Sequence, residues 1–143
     1  MPRYFEDVTI GDELGPLERS IDTEAVIEFC RLWQRELPKR FVSLEGAREE
    51  GFPGPIVPAH MIMAHLFRLV SLWAPGSQLR TLDVVLRQPV LHNQALSFRG
   101  VVTDTQVQDG HGVVDLDLSV EDPHSERLAG GRGVLQLPLN GRR

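Results

Sequence analysis

From residue 22 onward the apolar positions recur with the period of a helix. Val26, Phe29, Cys30 and Trp33 stand at i, i+3, i+4 and i+7, which predicts one apolar helical face along TEAVIEFCRLWQ. Asp22 is a fitting N-cap, Glu24 falls in the first turn where a carboxylate suits the helix dipole, and Pro38 closes the region. A shorter, charge-rich helical piece over 43–50 should face solvent. Gly51-Phe52-Pro53-Gly54-Pro55 cannot be helix and must be a tight connection. The run 60–73 then carries two apolar stripes, one of Ile62, Leu66, Leu69 and Trp73 and one of Met63, Phe67 and Val70. A helix apolar nearly all round is expected to be enclosed by other structure, and Ala74-Pro75-Gly76 ends it.

Beyond this helix the period changes from 3.6 to 2. Val114, Leu116, Leu118 and Val120 alternate with Asp115, Asp117 and Ser119, the pattern of a half-buried antiparallel strand. Further strands are predicted over 79–91, 95–108 and 127–137, separated by the turn signals HNQ, QDGHG and EDPHSE. The segment 4–17 contains IGDELGP and reads as an arm or short strand. Helices followed by a run of long strands imply an α+β domain in which an antiparallel β-sheet is wrapped around a long central helix. No repeat or linker divides the chain, so residues 1–143 form a single domain. Its sheet edges would be exposed in a monomer, and edge-to-edge pairing in a dimer would protect them.

Composition narrows the function. The net charge of -5 argues against nucleic acid, and all fifteen cations but Lys39 are Arg, a composition bias. The single cysteine, Cys30, forms no internal disulfide, suits a reducing compartment and reads as a small hydrophobe within the first helix. No apolar run reaches membrane-spanning length and the start lacks a signal-peptide core, so the expected location is the cytoplasm, with no membrane partner.

Four segments in order carry a resemblance: YFEDVTIGDEL, GFPGPIVPAHMIMAHLF, LDVVLRQPVLHNQALSFRGVV and ERLAGGRGVLQLP. They resemble, respectively, the opening arm, the entry into the central helix, the first long hairpin and the closing strand of the MaoC-like (R)-specific enoyl-thioester hydratase/dehydratase family, which has the hot-dog fold. The resemblance implies a lyase that hydrates a trans-2-enoyl thioester on coenzyme A or acyl carrier protein, or runs the dehydration, with no cofactor or metal. It also implies a homodimer, or a heterodimer with another hot-dog subunit.

The family's motif is an Asp followed five positions later by a His, ahead of the central helix. Counted back from Gly51-Phe52, the Asp falls on Glu36 and the His on Phe41; counted forward from Pro38, the His falls on Arg40. Neither register holds a histidine. Glu36 is then the candidate base, and His60, where the chain enters the central helix, the candidate acid or oxyanion donor. Such chemistry needs an acid and a base about one water apart and dipoles aimed at the thioester oxygen. Arg40, Phe41, Pro58, Ala59 and Met63 are the candidate substrate contacts. Arg48 and Arg87 are possible phosphate contacts beside Arg40.

Two other readings compete with this rebuilt hydratase site. A catalytically silent hot-dog subunit would hold the acyl chain for an active partner. A hot-dog thioesterase ranks last, because 60–73 holds no Asp or Glu. Zinc on His60 and His65 is rejected, since i, i+5 puts them on different helix faces. His65 reads as a core or dimer-contact residue, and His92, His111 and His124 as surface turn residues. Asp115 and Asp117 form a solvated face, Gly130, Gly131 and Gly133 mark a β-bulge or bend, and Ser43 and Ser71 have no nucleophile elbow.

Overall fold

The computed structural model describes residues 2–33 and 36–140. An N-terminal arm leads to β1 (Glu13–Arg19), then α1 (Thr23–Trp33), α2 (Lys39–Val42), α3 (Leu44–Glu49) and the long α4 (Ala59–Trp73). Four strands follow: β2 (Gln78–Leu86), β3 (Leu96–Gln108), β4 (His111–Glu121) and β5 (Arg127–Leu137). All five strands form one antiparallel sheet in the order β1-β3-β4-β5-β2, and α4 packs on it through β1, β2 and β3. The α+β architecture expected from the sequence is therefore present, with the sheet around α4.

The helix signals act as chemistry requires. The Asp22 carboxylate accepts from the Ala25 amide at 2.8 Å and caps α1, whose inward face buries Val26 and Cys30. Gln34, at the end of the expected helix, lies outside the described residues. Pro38 proves to be the N-cap of the short α2, where its fixed φ of -57° leads into a new helix rather than only closing the old one. Ser43 caps α3 by accepting from the Gly46 amide at 3.1 Å. The N-terminal arm is tied down at both ends of the core. Arg3 donates to the Trp73 carbonyl at 2.8 Å and lies over its ring, and the Phe5 amide donates to the Pro138 carbonyl.

Three expectations need correction. First, α4 is not enclosed on every side. Ile62, Leu66, Leu69 and Val70 are buried, but Phe67 keeps 54% of its surface exposed and Leu72 53%. A single sheet covers one side of a helix, so the second stripe reaches the surface at Phe67. Second, β2 stops at Leu86. Arg87 and Gln88 both donate to the Leu128 carbonyl, and Pro89 has no amide with which to continue a ladder. Third, β2 and β3 form no hairpin. β2 crosses to the far edge and pairs with β5, while β3 lies between β1 and β4.

The glycines of β5 serve that crossing. A Cβ on Gly131 would fall on the Asp83 carbonyl oxygen of β2 and 2.9 Å from the Val84 Cα. The register shift in this pair lies in β2, between Leu79 and Thr81, so the glycines allow close backbone approach rather than forming a bulge of their own. The polar face of the sheet follows the alternation at Asp115 and Asp117 but not at Ser119, which is buried. Asp115 and Asp117 look outward beside Asp83 and Arg132 in a polar groove of about 550 Å³, and Arg127, outside that groove's lining, pairs with Asp117 at 3.2 Å.

Candidate functional site

The connection into α4 is held from both sides. The Val57 amide donates to the Val90 carbonyl at 2.8 Å, Ile56 bridges Leu91, and the Ile56 amide donates to the Arg40 carbonyl at 3.0 Å. His92 is a latch rather than a free surface residue. Its Nε2 lies 3.2 Å from the Ile56 carbonyl and its Nδ1 3.0 Å from the Thr23 hydroxyl. A carbonyl can only accept, so Nε2 carries the hydrogen and the Thr23 hydroxyl can donate to Nδ1. Thr23 opens α1, so His92 joins the start of α1 to the bridged segment that delivers Pro58 to the start of α4.

Between these elements lies a slot of about 270 Å³ lined by Phe29, Cys30, Trp33, Arg40, Phe41, Pro58, Ala59 and His60. Five of the seven residues singled out from the sequence meet there: Arg40, Phe41, Pro58, Ala59 and His60. Glu36 is exposed in the bend before α2 and does not line the slot, and Met63 is half-buried one turn further along α4, also outside it. No carboxylate is among the described lining residues.

Three lining residues escaped sequence reasoning: Phe29, Cys30 and Trp33. The signal was the apolar face of α1 itself, which runs on past what the core covers. Val26 is fully buried and Cys30 nearly so, whereas Trp33 is 59% exposed. Its ring lies against the His60 imidazole, with centroids 4.9 Å apart and planes at 38°. Burial pushes the Cys30 thiol above its ordinary pKa, away from a nucleophilic thiolate.

The electrostatics are simple. Pro58 offers no amide, α4 has no side-chain cap and no acidic residue in its first turn, and the Ala59 and His60 amides donate to no other described residue. Together they form a positive helix end at the slot. Arg40 is the slot's cation among the described residues. It lies 4.8 Å above the Phe41 ring centroid and 3.5 Å from Glu50, in a half-exposed pair that is weak and readily exchanged for another anion. His65 lies elsewhere, stacked on Phe98 at 5.3 Å, where burial foremost and Arg19 second lower its pKa. The described residues contain no group of three or more His, Cys, Asp and Glu that could hold a metal ion, and no helix long and apolar enough to cross a membrane.

No family model and no curated protein matches the chain by sequence. Solved structures match it in shape. The monoamine oxidase regulatory protein from Archaeoglobus fulgidus superposes with a TM-score of 0.84 at 20% identity, over 97% of this chain and 96% of that one. The (R)-hydratase from A. caviae involved in PHA biosynthesis gives 0.81 at 17% identity, over 93% and 99%. The C-terminally truncated HadBC (3R-hydroxyacyl-ACP dehydratase) complex from Mycobacterium tuberculosis gives 0.75 at 17%, over 89% and 96%. At such identities the likeness establishes the fold, which is the hot-dog fold of hydratases and dehydratases.

Proposed function

We propose that the chain is an acyl-thioester-binding hot-dog subunit of the MaoC-like hydratase/dehydratase kind, working beside a second hot-dog subunit that brings the complete acid–base pair. The observation that carries this reading is the slot at the start of α4, where the Ala59 and His60 amides donate to no other described residue and no carboxylate is among the described lining residues. Hydration needs a base and an acid around one water, whereas holding an acyl thioester needs only a cavity, oxyanion donors and a cation for the carrier's phosphates. Arg40 is placed for the last of these, on a thioester of coenzyme A or acyl carrier protein. The HadBC match is to a complex of hot-dog subunits. The edge strand β2, with exposed Val85 and Leu86, and the α4 face of Phe67 and Leu72 offer apolar surface for pairing.

A second reading keeps the chemistry within this chain, with Glu36 as base and His60 as acid or oxyanion donor. It is favoured by His60 lining the slot and by Glu36 standing shortly before α2, which carries Arg40 and Phe41. Hydration of crotonyl-CoA by the purified chain separates the two. The subunit reading expects activity only when a hot-dog protein encoded beside this one is added. Activity of the chain alone, falling about 100-fold or more in both Glu36→Gln and His60→Ala, would establish the second reading instead. Full activity alone in both variants would overturn the site assignment altogether.

A further inference from the structure

The slot's walls are unusual for a cavity meant to hold an alkyl chain. Four rings line it: Phe29 and Trp33 from α1, Phe41 from α2 and His60 from α4. Phe29 and Trp33 have centroids 5.6 Å apart, and Trp33 and His60 4.9 Å, so three of the rings run as one row. No Leu, Ile, Val or Met is among the described lining residues, although the adjoining core is built almost wholly of them. About 150 Å³ of apolar cavity holds a benzene ring, so about 270 Å³ has room for a ring and a short acyl stem. Cys30 and Pro58 are the buried residues among the described lining. Trp33 meanwhile leaves more than half of its surface uncovered at the rim, where a flat ligand would shield it.

We propose that this slot takes an aryl-conjugated acyl group, of the 3-arylacrylyl thioester class, in preference to a straight alkyl chain, and that Trp33 makes the selection. The proposal rests on the acyl-thioester reading of the same slot. A planar conjugated acyl group can meet the row of rings in offset or edge-to-face contact at centroid spacings of about 4.5–7 Å. Its thioester then reaches back toward the Ala59 and His60 amides, and the carrier's phosphates toward Arg40. A saturated chain fills the same space without those contacts.

Calorimetric titration of the full chain with cinnamoyl-CoA, crotonyl-CoA and trans-2-octenoyl-CoA tests this. Cinnamoyl-CoA is expected to bind about tenfold more tightly than either of the others, the size of one or two aromatic contacts. In Trp33→Leu the advantage should fall to within about threefold while the melting temperature stays unchanged, since Trp33 contributes little to the core. Tightest binding of the octenoyl ester, or equal binding of all three, would overturn the aryl preference and leave the acyl-thioester reading standing. Binding of none would overturn both. Retention of the full preference in Trp33→Leu would remove Trp33 from the selection.

Discussion

Adjacent residues on α4 give a sharp test of how the helix is covered. Leu66 is fully buried in the core cluster, whereas Phe67, the next residue, is 54% exposed. Leu66→Ala removes buried methyl and methine groups and leaves a cavity the sheet cannot collapse into, a loss of about 3 kcal/mol within the usual 2–5. For a chain of this length that lowers the melting temperature by about 10 °C. Phe67→Ala surrenders a little under half of a buried phenyl group, about 1 kcal/mol or roughly 3–4 °C for the chain alone. If Phe67 is also covered by a second copy of the chain, its loss appears as weaker association, and the melting temperature of the wild type rises with protein concentration while that of the variant does not. Circular-dichroism melts of both variants at two concentrations, with sedimentation to record mass, measure all of this. A loss below about 1 kcal/mol in Leu66→Ala would refute the core described for α4. An equal and concentration-independent loss in both variants would refute the open face at Phe67.

Three further outcomes are expected. Gly131→Ala should lower the urea midpoint by the equivalent of about 3 kcal/mol, because its Cβ meets the Asp83 backbone of β2. Gly133→Ala is the control, since its Cβ approaches the ends of the Leu118 and Leu79 side chains at 3.3 Å and these can shift. Asp22→Ala should cost about 1 kcal/mol through the lost α1 cap, read as the same midpoint, with Asp22→Asn recovering most of it. The lowered pKa of His65 sets a sign for acid stability. The contribution is intact above the unfolded value near 6.5; as pH falls below it the unfolded chain protonates first, and stability declines until the folded value is passed. Urea midpoints measured across that range should fall for the wild type and flatten in His65→Gln; an equally steep fall in the variant would contradict the assignment.

The sequence made the local signals legible and the long-range pairings opaque. The i, i+3, i+4, i+7 spacing of Val26, Phe29, Cys30 and Trp33, the Asp22 cap and the alternation around Asp115 and Asp117 are statements about neighbours in the chain, and each is realised. The crossing of β2 to β5 is not such a statement, because nothing between 87 and 95 distinguishes a hairpin from a crossover. For the same reason His92, sitting in a turn, gave no sign of reaching Thr23 and Ile56. At the candidate site Pro58, Ala59 and His60 were singled out because their segment resembles the family's entry into the central helix, and they line the slot together. Trp33 did not, since an apolar helical face looks the same in sequence whether the core or a cavity lies against it.

The division of labour along the chain has a consequence for how such proteins diverge. Every described residue lining the slot falls between 29 and 60, while β2 to β5 and the inward face of α4 supply the ladder and most of the core. Mutational drift in the first block can erase or redesign a reaction centre without disturbing the second. The sheet that covers α4 is thus built from residues separate from those lining the slot. A backbone that superposes on that of a hydratase says nothing about whether residues 29–60 hold an acid–base pair.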